Sequence, residues 1–266
     1  MTLPFVSCVC PTYNRFPDYG HLLNEAVESF LRQDYPAERR ELVIFNDCPG
    51  QRLACDALQV NVFNYPTRFS SLGEKYNEAI RLSRGELILP WEDDDISLPW
   101  RISQGVREVW GERAPDGTCL RDNWEYRDRV GWCEKEYWKP PQVWYWPSDS
   151  PVPIWDHPAG VRHHAGIFTR AAWVRVGGYP PVSGAQDAII DGQLGGSALP
   201  VYPSGIPPEE WAYVYRWSMS PCHLSGSSAP HDDFYAKVGT WPIQSGRFTI
   251  QPHWKKDYVA LTRVAL

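Results

Sequence analysis

Apolar residues in the first hundred positions follow two alternating rhythms. Compact runs at Phe5-Val6-Ser7-Cys8-Val9-Cys10, Glu41-Leu42-Val43-Ile44-Phe45, Val60 to Tyr65 and Leu87 to Trp91 read as buried strands. Between them, Leu22, Leu23, Ala26, Val27, Phe30 and Leu31 recur at helical spacing, with Glu25 and Glu28 on the other face. A further helix is predicted from Leu72 to Arg84, with Tyr76, Ala79 and Ile80 on one face and Gly85 as its C-terminal stop. A short helix is expected over Gln51 to Leu58. Pro11 is expected to end the first strand, because it has no N–H for a central ladder. Strands alternating with helices predict βαβ units and a mostly parallel, helix-flanked α/β sheet.

After Pro99 the pattern weakens. Ile102, Val106 and Val109 suggest one more helix, ending near Gly111. Residues 112–160 hold Trp124, Trp132, Trp138, Trp144, Trp146 and Trp155 without a clean period and read as irregular strands and loops. Regularity returns with a strand at His163 to Thr169, a short helix at Ala171 to Val176 and a turn at Gly177-Gly178-Tyr179-Pro180. A helix from Ala185 to about Leu194 and a strand from Ala212 to Trp217 follow. No pattern is read beyond Ser225. The chain therefore divides into an α/β half, 1–111, and a second half with a C-terminal extension of the same domain, 112–266.

The chemistry concentrates at Glu92-Asp93-Asp94-Asp95, four acids at the point where a buried strand leaves the sheet. Burying such charges unpaired costs several kcal/mol each, roughly. Carboxylate oxygens with no Cys or His nearby suit a hard divalent cation, Mg²⁺ or Mn²⁺. Alone, the motif reads first as a solvated acidic loop. In open parallel sheets, however, ligands bind beyond the carboxyl ends of the strands. That rule brings together Pro11 to Arg15, Asn46 to Gly50 and Glu92 to Asp95, placing the acids in a cleft with Arg15, Asp47 and Arg68 or Lys75.

Composition narrows the partners. The net charge of −6 over 266 residues gives no support to a mainly electrostatic nucleic-acid binder. No apolar run approaches the ~18 residues of a membrane span, and Met1-Thr2-Leu3-Pro4 opens no signal peptide. Seven cysteines, odd in number and without CxxC spacing, argue against zinc or a disulfide framework and imply a reducing cytoplasm. The 14 Trp and 25 Pro stand out, the tryptophans serving as core or as stacking platforms for sugars or bases.

Several stretches together resemble a family 2 glycosyltransferase of the GT-A, nucleotide-diphospho-sugar-transferase-like fold. They are Val6 to Arg15, Glu28 to Gln33, Glu41 to Asp47, Asn77-Glu78-Ala79-Ile80 through Gly85-Glu86, Glu92 to Pro99, and Gly177-Gly178-Tyr179 with Gln186-Asp187. The resemblance implies that Pro11, Thr12, Tyr13 and Arg15 line a nucleotide pocket, with Arg68, Lys75 and Asp93 alongside. Asp47 would accept a hydrogen bond from the base, most often uracil. The metal motif has two registers here, Glu92-Asp93-Asp94 or Asp93-Asp94-Asp95, with Asp94 the main ligand and Asp95 the second.

Asp187 matches the family position of the base that deprotonates the acceptor hydroxyl, with Asp191 as substitute. The alternative for an acid at a helix start is a cap or dipole partner. His223, in Arg216 to Gly226, resembles a late segment whose His completes the metal shell or touches the diphosphate, and Arg216 would face phosphate too. His163-His164 would be split by strand alternation, one towards the cleft. The implied activity is a metal-dependent, inverting transfer of a sugar from a nucleotide diphosphate donor, UDP favoured, to a hydroxyl acceptor. A nucleotidyltransferase would show a Gly-rich loop after the first strand, which is absent. A non-catalytic carbohydrate- or nucleic-acid-binding module would have no use for Asp187 or a metal.

Overall fold

The computed structural model describes residues 3–110, 136–139, 142–145, 154–155, 166–195, 211–216 and 230–264. The expectations for His163, His164, His223 and most of the tryptophan-rich segment lie outside these residues. Among the described residues no helix is long and apolar enough to cross a membrane.

Strands β1 (Val6–Thr12), β2 (Arg40–Asn46), β4 (Val60–Asn64) and β5 (Leu87–Pro90) pair in parallel in the order β4-β2-β1-β5. Antiparallel β10 (Ile167–Thr169) and β7 (Tyr137–Trp138) extend the sheet beyond β5. Residues from both halves of the sequence thus share one six-stranded sheet. The period-2 pattern sorts side chains to its two faces. Val6, Cys8 and Cys10 meet Leu23, Ala26, Val27 and Phe30 of α1 (Gly20–Leu31) together with Ile102 and Val106 of α3 (Arg101–Trp110). Val9, Val43 and Phe45 meet Tyr76, Ala79 and Ile80 of α2 (Leu72–Leu82), with Phe168 and Ala172.

Pro11 does not end β1 but pairs with Phe45 of β2. The Val9 carbonyl accepts the Trp91 N–H, so residues of that parity point towards β5, whose ladder with β1 stops at Val9–Pro90. The N–H missing from Pro11 would face the gap where β5 has left, which removes the cost of having none. Gln51–Ala54 is not helical but forms β3, pairing in parallel with β12 (Gly246–Thr249). Helix α2 ends at Ser83, where Arg170 donates to the carbonyls of Ile80, Ser83 and Gly85. Gly85 answers a different need, since a Cβ there would lie 2.5 Å from the Ser7 nitrogen.

A second sheet, β6-β11-β8-β9, comprises Ile96–Ser97, Tyr213–Arg216, Gln142–Tyr145 and Ile154–Trp155. Helices α4 (Arg170–Val176) and α5 (Gln186–Gln193) follow β10, and α6 (His231–Val238) and α7 (Tyr258–Val264) are the last among the described residues. Helix α2 starts flush against the loop that precedes α5. Its Gly73 donates to the Val182 carbonyl at 3.1 Å, and a Cβ at Gly73 would fall 1.9 Å from the Pro180 oxygen. Gly73→Ala is therefore expected to lower stability by about 1–3 kcal/mol in thermal or urea unfolding, because backbone must move. Gly192→Ala is the control: nothing lies within 4 Å, and helix propensity favours Ala by up to ~1 kcal/mol.

Candidate active site

Three loops leave the carboxyl edge of the parallel strands side by side, after β1, β2 and β5. Arg15, in the first, is nearly buried and grips the third. Its Nε and Nη2 donate to Asp93 Oδ2 and Oδ1 at 2.7 and 2.5 Å, and Nη2 reaches Asp94 Oδ2 at 2.9 Å. A bidentate fork of this kind fixes a carboxylate in orientation as well as in position. One guanidinium here serves two carboxylates.

The flanking acids turn elsewhere. Glu92 accepts from the Tyr76 hydroxyl at 2.5 Å, and the Tyr76 ring stacks on Tyr179 with centroids 4.8 Å apart. Asp95 accepts from the Tyr213 hydroxyl and the Arg216 N–H, both at 2.6 Å. Burial, reinforced by the neighbouring carboxylates, pushes Glu92 up to about 8 against the pull of the Tyr76 hydrogen bond. Burial and the Asp94 charge likewise push Asp95 up to about 8. The loop as a whole is short of positive charge. Asp95, expected as second metal ligand, lines the cleft together with Asp94, and its two oxygens also accept these bonds from β11.

On the β2 side, Lys75 Nζ bridges the Thr12 carbonyl and Asp47 Oδ1, each at 2.6 Å, and the Phe69 N–H donates to Asp47 Oδ2 at 2.9 Å. Asp47 is fully buried and Thr12 almost so; both stand behind the cleft wall formed by Pro11, Tyr13, Arg15, Arg68 and Lys75. Direct contact of Asp47 with a base would require the Phe69 segment to shift. Arg68 lies with its guanidinium carbon 4.3 Å from the centre of the Tyr13 ring and 3.9 Å from that of Tyr235.

Asp187, in the first turn of α5, lines the same cleft from the opposite half of the chain. Its Oδ1 accepts the Ala188 N–H at 2.8 Å. The preceding Gly177-Gly178 turn has φ of 82° at both glycines, a left-handed conformation that favours glycine. Asn77 locks this turn to α2: its Oδ1 accepts from Tyr179 N and Trp173 Nε1 at 2.8 and 3.1 Å, and its Nδ2 donates to the Tyr179 carbonyl at 2.8 Å. Asp191 is placed otherwise. It accepts from Lys139 Nζ at 3.0 Å and from the Tyr137 hydroxyl, and it is not among the residues that line the cleft.

Arg216, expected to face phosphate, is fully buried and points into the protein. Its Nη1 donates to Glu25 Oε2 at 2.6 Å and its Nε to the Asp94 carbonyl. Glu25, assigned by helical spacing to the solvent face, is thereby buried as the partner of a buried cation. Its alignment with Leu22 and Ser29 along α1 was the available signal. His231, Tyr235 and Ser183 also line the cleft, and no local pattern in the sequence marks them.

A mainly parallel sheet flanked by helices, with an acidic loop leaving its central strand and a second carboxylate facing that loop, defines a GT-A-type transferase fold. The glycosyl transferase family 2 profile matches residues 7–151, more than half of the chain, and the chain belongs to that family. Among solved structures it is similar to TarS 1-349 from S. aureus in complex with UDP-GlcNAc (16% identity, 87% of this chain and 64% of that one, TM-score 0.51). It is also similar to TarS 1-349 without a stated ligand (15% identity, 80% and 60%, TM-score 0.48). A third is the mannosyltransferase PcManGT from Pyrobaculum calidifontis in complex with GDP-Man and Mn²⁺ (15% identity, 81% and 55%, TM-score 0.44). The chain thus spans less than two thirds of the length of the structures it resembles. No curated protein matches it.

Proposed function

We propose that the chain is a divalent-metal-dependent, inverting glycosyltransferase that moves a sugar from a nucleotide diphosphate donor, UDP-linked by preference, to a hydroxyl acceptor. The observation that carries this reading is one cleft with Arg15, Asp93 and Asp94 on one wall and Asp187 on the other. Among the described residues no three His, Cys, Asp or Glu side chains converge on a metal position. The donor set still fits Mg²⁺ or Mn²⁺, which is held by one or two carboxylates with substrate phosphates and water completing the shell. Asp94 would hold it, with its carboxylate in the cleft beside Arg15. Bound there, the ion neutralises charge on the departing diphosphate.

The chain's own residues supply the rest. Asp187 takes the proton of the acceptor hydroxyl as that oxygen bonds to the anomeric carbon. The bond from that carbon to the diphosphate oxygen breaks, and its electron pair leaves with the nucleotide. One displacement inverts the anomeric centre. Arg15 keeps Asp93 and Asp94 from repelling each other, while Tyr13, Arg68 and Lys75 shape the nucleotide end. The TarS structure that shares the fold holds a uridine donor, in keeping with the uracil preference that the family resemblance implies.

The experiment is a thermal-shift panel of UDP- and GDP-sugars with and without Mn²⁺. A site holding its ligand at 100 times Kd gains about 2.7 kcal/mol, a shift of several degrees. A metal-dependent rise with UDP-sugars is expected. No rise with any nucleotide sugar would remove the reading.

A further inference from the structure

We infer that Arg101, the first residue of α3, is a positioning residue: its guanidinium ties together the two ends of the Glu92–Asp95 loop and so sets the affinity of that loop for a divalent cation. The inference rests on the reading of the cleft as a metal-dependent nucleotide-sugar site. Arg101 is fully buried and is not among the residues that line the cleft. Its Nη2 donates to the Pro90 carbonyl and its Nη1 to the Ser97 hydroxyl, each at 2.7 Å. Pro90 is the last residue of β5 and Ser97 belongs to β6, so one planar group spans the acids from strand to strand. The Pro90 carbonyl is available for this because its peptide turns the other edge to β1, where the Trp91 N–H donates to the Val9 carbonyl, and because β10 pairs only with Leu87 and Ile88.

Two aromatic contacts extend the tie. The guanidinium carbon lies 4.9 Å from the centre of the Trp91 ring and 4.7 Å from that of Tyr213. The Tyr213 hydroxyl in turn donates to Asp95 at 2.6 Å. Arg101 therefore touches the residue before the first acid and the partner of the last. Burial lowers the pKa of Arg101 despite the Glu92 and Asp95 charges nearby, so holding a cation here costs stability. An apolar side chain would fill the space without that cost. It could not bridge two acceptors with a rigid fork, and neither could lysine, a point charge on a flexible stem.

The test is calorimetric titration of UDP over a series of Mn²⁺ concentrations, with wild type, Arg101→Lys, Ser97→Ala and Arg170→Lys, each also melted. The readout is the Mn²⁺ concentration that gives half of the metal-dependent gain in UDP affinity. Losing an outer partner of a metal site weakens metal binding by roughly 10- to 100-fold. Arg101→Lys is expected to raise that concentration about tenfold or more, with metal-free UDP affinity unchanged. Ser97→Ala removes one end of the tie, should move the readout in the same direction, and decides the matter if Arg101→Lys does not fold. Arg170→Lys is the structural control, because Arg170 grips the Ile80, Ser83 and Gly85 carbonyls at the opposite end of β5. It should lower the melting temperature and leave the Mn²⁺ dependence alone. No change in either variant at the loop, or an equal change in Arg170→Lys, would overturn the inference while leaving the transferase reading in place. Failure of wild type to bind UDP with Mn²⁺ would overturn both.

Discussion

Asp187→Asn is expected to reduce sugar transfer by about 10²–10⁴-fold while leaving donor affinity unchanged, the loss that follows removal of a general base. The variant separates the two uses of an acid at this position. Asp187 Oδ1 accepts the Ala188 N–H at the start of α5, and an asparagine oxygen accepts that hydrogen bond about as well. The helix therefore persists, and a fall in rate reports proton transfer rather than unfolding. Asp94→Ala provides the contrast. It should lose metal-dependent turnover together with Mn²⁺-dependent donor binding, because its carboxylate lies on the donor wall beside Arg15. Asp191→Asn should instead lower stability, since its partners are Lys139 and Tyr137. Single-turnover rates and donor titrations of the three variants check the pattern. Undiminished transfer by Asp187→Asn would strike Asp187 from the base role.

The donor wall was legible in the sequence because each of its parts is local. A strand with apolar alternation, ended by Pro11-Thr12-Tyr13-Asn14-Arg15, and a second ended by four acids, must release their loops at the same edge once both are parallel. The partners that hold these loops from behind were not legible, because their cause lies far along the chain. Gln51–Ala54 contains residues compatible with a helix and becomes a strand only because Gly246–Thr249 pairs with it. Glu25 reads as a surface acid until Arg216, 191 positions later, is placed against it. The hold on Asp95 has an equally distant origin: Tyr213 and the Arg216 N–H, which donate to its oxygens, belong to β11. Tyr235 and His231 come from a stretch with no readable period.

That distant partnership carries the remaining large effect: Glu25→Gln is expected to destabilise the protein by about 3–5 kcal/mol at neutral pH, because it leaves Arg216 buried without its counter-charge. The cluster is dense. Glu25 accepts from Arg216 Nη1 at 2.6 Å, the Tyr258 hydroxyl at 2.8 Å and the Lys255 N–H at 3.0 Å, joining α1, β11 and the start of α7. Burial alone would raise the Glu25 carboxyl. The Arg216 charge and these hydrogen bonds outweigh it, and the group is held below its ordinary value. Burial lowers Arg216, but the Tyr258 and Glu25 interactions prevail and raise it, so both partners favour the charged pair.

A depressed carboxylate contributes stability that is full above its unfolded pKa of roughly 4.3 and is lost as pH falls through the lower folded value. The stability gap between wild type and Glu25→Gln, measured by urea unfolding, should therefore be widest near pH 7 and close in the acid limb below about pH 4. A gap independent of pH would mean that the ion pair is not its source. The same substitution bears on chemistry, since Arg216 also holds the Asp94 carbonyl and, through its N–H, Asp95. Released from Glu25, the guanidinium is drawn towards the acidic loop and competes there with the cation that the loop otherwise attracts. Glu25→Gln should then weaken Mn²⁺-dependent donor binding as well, although Glu25 touches neither metal nor donor.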